Sequence, residues 1–119
     1  MKLPGPDHPI TVQPNPRSVR VVFNGKVVAD TSRALSVKEA DYPAVQYIPR
    51  EDADLSAFVA TQHHTRCPDK GEASYFTLKA DGKSAENAVW SYEKPFPAVA
   101  EIAGHLAFYP NRVDRIEQS

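Results

Sequence analysis

Ser18-Val19-Arg20-Val21-Val22-Phe23-Asn24-Gly25-Lys26-Val27-Val28-Ala29-Asp30 is the stretch whose reading decides the fold. Two β-branched runs flank Asn-Gly, the pair that accepts the positive φ angles of a type I′ turn. The stretch therefore reads as a β-hairpin. Val19, Val21 and Phe23 share one face of its first arm, and Arg20 and Val22 share the other. Arg20 belongs either on a solvated sheet face or at the edge of a ligand site.

Working outward, the residues on the N-terminal side are rich in proline: Pro4, Pro6, Pro9, Pro14 and Pro16. Proline fixes φ and removes a backbone donor, so residues 1–17 read as an extended arm that covers a sheet edge or stays partly mobile. Residues 18–119 read as a single domain. On the other side, Leu35 and Val37 alternate with Ser36 and Lys38 as a third strand, and Glu39 falls on the apolar face. An unpaired buried carboxylate is costly, so Glu39 marks either a strand end or a site. Val45-Gln46-Tyr47-Ile48 is a short strand between prolines. Leu55, Phe58 and Val59 lie at helical spacing behind Asp52 and Asp54, two candidate caps. A second hairpin is read from Ser74–Ala80, Asp81-Gly82 and a run through Trp90 and Tyr92. Pro97–Ala103 reads as one or two helical turns, His105–Tyr109 as a strand, and Val113–Ile116 as a final short strand or a frayed tail. The expected class is mainly β, with short helices only.

The whole composition agrees. The chain has 119 residues, 24% of them charged and 41% hydrophobic, as expected of one globular domain. Eleven prolines and five glycines favour short, turn-bounded segments. A net charge of −1 supplies no field for nucleic acid or an anionic membrane. No run approaches the roughly 20 apolar residues of a membrane span. The N-terminus lacks the apolar core of a signal peptide, and the one cysteine cannot form an internal disulfide. A cytoplasmic setting is expected from both.

Reactive chemistry is concentrated in Gln62-His63-His64-Thr65-Arg66-Cys67-Pro68-Asp69-Lys70-Gly71. Thiolates are favoured beside positive charge, which Arg66 and Lys70 offer, and His63 or His64 can serve as base if the segment folds back. No oxyanion hole or third triad member is legible. Against this reading, a single cysteine is often a small buried hydrophobe. His63, His64, Cys67 and His105 are zinc-ligand types, but adjacent histidines on an extended chain point to opposite sides. No metal is expected.

The motifs Val27-Val28-Ala29-Asp30-Thr31-Ser32, Val45–Asp52, Thr65-Arg66-Cys67-Pro68-Asp69-Lys70-Gly71-Glu72-Ala73-Ser74-Tyr75, Ala88-Val89-Trp90-Ser91-Tyr92-Glu93-Lys94-Pro95 and Ile102-Ala103-Gly104-His105-Leu106-Ala107-Phe108-Tyr109 together resemble the bacterial DUF427 family. The resemblance runs from Ser18 to Ile116 and leaves the arm outside. It implies an Mss4-like, or β-tent, fold of two antiparallel sheets meeting at an angle, with one or two short helices. It implies no activity. The paired CxxC zinc motifs of many β-tent relatives are missing here. So is the Gly-Ser and Asp-x-Asp metal site of nucleotidyltransferases, a label sometimes attached to such sequences.

The expected function is small-molecule binding, of an amine, amide or nucleoside-like compound, in a pocket floored by Trp90 and Tyr92. Tyr47 and Tyr75 are its further walls, with Arg20, Glu39, Lys70 and Cys67 at the rim. Each aromatic alone is equally at home in a plain core. The alternative is a small enzyme using Cys67, tuned by Lys70 and His64. No cofactor, nucleic-acid partner or membrane partner is expected, because aromatics that stack bases need a basic patch beside them. Oligomeric state is not legible.

Overall fold

The computed structural model describes residues 9–119, so Pro4 and Pro6 of the expected arm lie outside the described residues. Ten strands run in chain order: β1 (Ile10–Pro14), β2 (Val19–Phe23), β3 (Lys26–Thr31), β4 (Leu35–Glu39), β5 (Val45–Tyr47), β6 (Phe58–Cys67), β7 (Gly71–Ala80), β8 (Lys83–Ser91), β9 (Ala107–Phe108) and β10 (Arg115–Gln118). All pair antiparallel, in three sheets ordered β1-β4-β5, β10-β2-β3 and β6-β7-β8-β9. The first and third sheets are joined where Ile48 and Leu106 exchange two backbone hydrogen bonds of 2.8 Å. The three ladders thus form two arrays, one of seven strands and one of three. The fold is mainly β. Its helical parts are short 3₁₀ turns, at Arg50–Asp52, Leu55–Ala57, Pro97–Ile102 and Pro110–Arg112.

The deciding hairpin forms β2 and β3. Asn24 and Gly25 take φ of 50° and 77°, as a type I′ turn needs. A register shift leaves Val28 as an extra residue opposite the Val21–Val22 step, and Val28 and Ala29 are consequently both buried. Asp81 and Gly82 turn β7 into β8 in the same way, with φ of 48° and 81°. A bulge at Asn87, φ 51°, shifts that ladder, and Tyr75 comes to lie opposite Trp90.

Pairing decides three expectations, overturning the helical stripe and the fold-back segment and specifying the arm. The helical stripe Leu55, Phe58, Val59 does not form. Asp54 caps only one turn, accepting from the Ser56 amide at 3.2 Å, and Phe58 and Val59 open β6. Short windows do not separate periods of 2 and 3.6, and here the long ladder with β7 decides. His63 and His64 are therefore on a strand, not in a loop that folds back. The second half of the arm covers a sheet edge, one of the two readings given for it, and does so as a strand. β1 pairs with β4, Ile10 opposite Glu39 and Pro14 opposite Leu35, at a sheet edge where proline is tolerated.

Buried side chains form two clusters. One is aliphatic and phenylalanine-rich: Val19, Val21, Phe23 and Val28 pack on Leu78, Val89, Leu106 and Phe108. The other holds Val37, Tyr47, Tyr75, Tyr92, Val99 and Ile102, with Cys67 and Trp90 against it. Among the described residues, no helix is long and apolar enough to cross a membrane.

Candidate functional site

The second cluster opens into a pocket of about 430 Å³, within the usual size of small-molecule sites. Its walls come from β4 and β5 on one side and β7 and β8 on the other, which the Ile48–Leu106 bridge brings together. Glu39, Tyr47, Lys70, Tyr75, Trp90 and Tyr92 all line it.

Lys70 gets there by a turn. The Lys70 amide bonds the Cys67 carbonyl at 3.3 Å, and the Lys70 carbonyl accepts from the Phe96 amide at 2.9 Å. Gly71 follows at φ 116°, a conformation L side chains rarely adopt, and packs against Lys94 and Pro95. The side chain so held is 9% exposed and forms an ion pair with Glu39, which is 23% exposed. Glu39 is thus a strand end that also lines the pocket. Lys70 Nζ also lies 3.6 Å from Cys67 Sγ and 6.0 Å from the centre of the Tyr92 ring.

The aromatic walls are linked to one another. Trp90 Nε1 donates to the Tyr47 hydroxyl at 3.2 Å, and their rings meet edge to face at 6.3 Å. The Tyr75 hydroxyl contacts Thr65 Oγ1 at 2.9 Å and the Tyr109 hydroxyl at 3.3 Å. Tyr109 packs on Trp90, ring centres 4.5 Å apart. Burial makes ionisation of these phenols harder. It pushes Tyr47 up to about 12, against the opposing hydrogen bond from Trp90, with the Glu39 charge adding to the rise. Tyr92 is raised further, first by burial and then by Tyr47 and Cys67. Tyr109 goes up to about 12 by burial and by its bond to Tyr75. All three are neutral O–H groups at physiological pH.

A second, mostly apolar groove of about 890 Å³ lies where the two arrays meet, with Val19, Val21 and Ile116 on one side. Trp90, Tyr109, Tyr42, Pro43 and Val45 line both cavities, so the Trp90–Tyr109 pair is a shared wall.

Arg20 does not join the site. It lies on the outer face of β2, 3.3 Å from Asp30, as the solvated-face reading of that residue has it. His64 is three residues from Cys67 on β6, hence on the opposite face, and its Nδ1 is 3.7 Å from Glu72. His63 faces the cysteine's side but packs on the Tyr75 ring at 4.6 Å. His105 Nδ1 lies 3.2 Å from the Ala103 carbonyl. Among the described residues, no three His, Cys, Asp or Glu side chains converge as a metal site would require. Tyr42 and Tyr109 escaped the sequence reading. Tyr109 was within reach, because Ala107 pairs with Trp90 and Tyr109 is two residues on, which puts it on the same face.

The chain belongs to the family described as a domain of unknown function, DUF427, whose model matches residues 11–119. The match extends into β1, upstream of the Ser18 boundary expected from the motifs. No curated protein matches the chain.

Proposed function

From membership in a family without an assigned activity, we propose that this domain binds a small molecule in the pocket against Trp90. The observation that carries the reading is a convergence. Six side chains from β4, β5, the 67–71 turn, β7, β8 and the residue after β8 meet around one cavity, with aromatic walls and the Lys70–Glu39 ion pair. Apolar walls with a few fixed polar groups are what small-molecule sites need. We also read the two arrays as the β-tent arrangement, with the groove at Val19 and Ile116 as its inner angle. The test is a screen of small aromatic compounds read by tryptophan emission, Trp90 being the only tryptophan. Saturable shifts that vanish in Trp90→Phe when followed by calorimetry support the reading. A flat response across the screen sinks it.

One contact favours a second reading, a cysteine-dependent enzyme: Lys70 gives the Cys67 sulfur a cationic neighbour at 3.6 Å. His64 has no part in this version, because it faces away. Iodoacetamide labelling of native and denatured protein separates the two readings. Ready labelling of the native thiol favours the enzyme, and labelling only after denaturation makes Cys67 a pocket wall.

A further inference from the structure

The Trp90 pocket and the groove beside it meet along one wall but differ in chemistry. Tyr42 and Tyr109 stand at that wall, 64% and 37% exposed. Large exposed apolar side chains gathered at a cavity mark a contact surface. The pocket holds aromatic rings and the Lys70–Glu39 pair. The groove is aliphatic where a ligand reaches it: Pro43, Val45, Pro110 and Ile116 are half-buried or exposed, over a buried floor of Val19 and Val21. Beyond the shared wall, its polar side chains among the described residues are Gln46, Gln118 and Arg115, and each has a protein partner. Gln46 accepts from Asn15 at 2.8 Å and donates to Ser36 at 3.1 Å. Gln118 accepts from Asn15 at 2.9 Å, and Arg115 donates to Glu117 at 2.9 Å. Such a surface offers a ligand mainly the removal of hydrocarbon from water.

We propose that the ligand is an elongated alkyl-aromatic molecule, its ring held in the pocket against Trp90 and its aliphatic chain laid along the groove past Tyr109 toward Ile116. This rests on the binding reading above and names the ligand class for it. The division of the molecule follows the walls. The rings of Tyr47, Tyr92 and Trp90 suit an aromatic end, which meets them edge to face or offset. The aliphatic side chains of the groove suit a chain. A compact ligand confined to the pocket would leave the apolar surface of the groove in water. A chain that covers that surface gains the hydrophobic contribution of every methylene it buries.

The experiment titrates the protein with 4-methyl-, 4-butyl- and 4-hexylbenzyl alcohol, read by Trp90 emission and by calorimetry. Affinity should rise roughly two- to fourfold for each added carbon, the range from partial to full burial of a methylene. Ile116→Asp, which places a charge on the groove wall, should remove most of that rise and leave binding of the methyl compound unchanged. Thermal unfolding checks that the variant folds. If it does not, Pro110→Asp, at an exposed position that lines the groove and not the pocket, takes its place. Equal affinity for the three compounds, or a rise undiminished in the variant, overturns the inference, while saturable binding of the methyl compound keeps the binding reading. If none of the three binds, both fall together.

Discussion

The two buried clusters exclude water about equally but are built from different chemistry. The first is Val, Leu, Ala and Phe, packed between the three-stranded array and β7–β9. The second is tyrosine-rich, adjoins an ion pair and opens into a cavity. Close packing of apolar groups specifies a fold and leaves nothing for a ligand to recognise. Buried hydroxyls are poor cement, because each needs a partner, and that need is why the second cluster is the candidate site. The difference teaches that burial alone does not distinguish core from pocket. The polar atoms that burial carries inward do.

The largest effect that tests this contrast is on the apolar side. Phe23 is 2% exposed within the first cluster. Phe23→Ala should cost about 3–5 kcal/mol, the usual loss of transfer energy plus a cavity. Urea unfolding measures it. A cost below about 1 kcal/mol would mean that the hairpin face is not the core on which the rest is built.

The next effect belongs to the tyrosine side alone and is set by pH. Tyr47 ionises near 10 when unfolded and at about 12 when folded. Its contribution is fully present below pH 10. It is lost as pH rises toward 12, because the unfolded chain releases its proton first. The loss is about 2–3 kcal/mol across that window. Stability measured from pH 8 to 12 should fall above 10, and Tyr47→Phe should remove part of the slope. An unchanged slope in that variant would show that Tyr47 is not the buried phenol described here.

The ion pair comes third. Lys70→Met leaves Glu39 without its ammonium, at a cost of about 2 kcal/mol, below the 3–5 of a fully buried pair because Glu39 retains some solvent. Adding Glu39→Gln should recover most of that. Unfolding midpoints of the single and double variants measure the coupling. No recovery in the double variant would mean that Lys70 acts through packing on Tyr92 rather than through charge.

The same contrast explains what was legible in the sequence. Val19 to Asp30 could be read outright, since Asn-Gly between β-branched runs is a local signal and needs no tertiary information. The residues of the pocket were legible as residue types on strand faces: Tyr47, Tyr75, Trp90 and Tyr92. Their meeting was expected at one pocket but no local signal dictates it, because it depends on the Ile48–Leu106 bridge and on the bulge at Asn87. Arg20 and His64 were expected beside the pocket and lie away from it for a related reason. Being near useful residues in sequence does not say which face of a strand a side chain occupies, or which sheet that face meets. The stripe at Leu55, Phe58 and Val59 failed where β6 claimed its last two residues for a ladder. β1 was hidden by its prolines, which only an edge position allows.

The smallest predicted effect asks whether the two clusters are separable. Gly25 sits at φ 77° in the β2–β3 turn, and a Cβ there would meet no atom within 4 Å. Gly25→Ala therefore adds no clash, and its cost is only that of holding alanine in the left-handed region, about 1 kcal/mol. The turn belongs to the three-stranded array, while the Trp90 pocket is walled by β4, β5, β7 and β8. Stability should fall by that amount while small-molecule binding at the pocket, read by Trp90 emission, stays the same within error. The groove against Val19 and Val21 shares Trp90 with the pocket, so strain in the hairpin has one route to it. A twofold or greater change in affinity would show that this shared wall couples fold and site, and that the apolar cluster sets the shape of the pocket as well as holding the domain together.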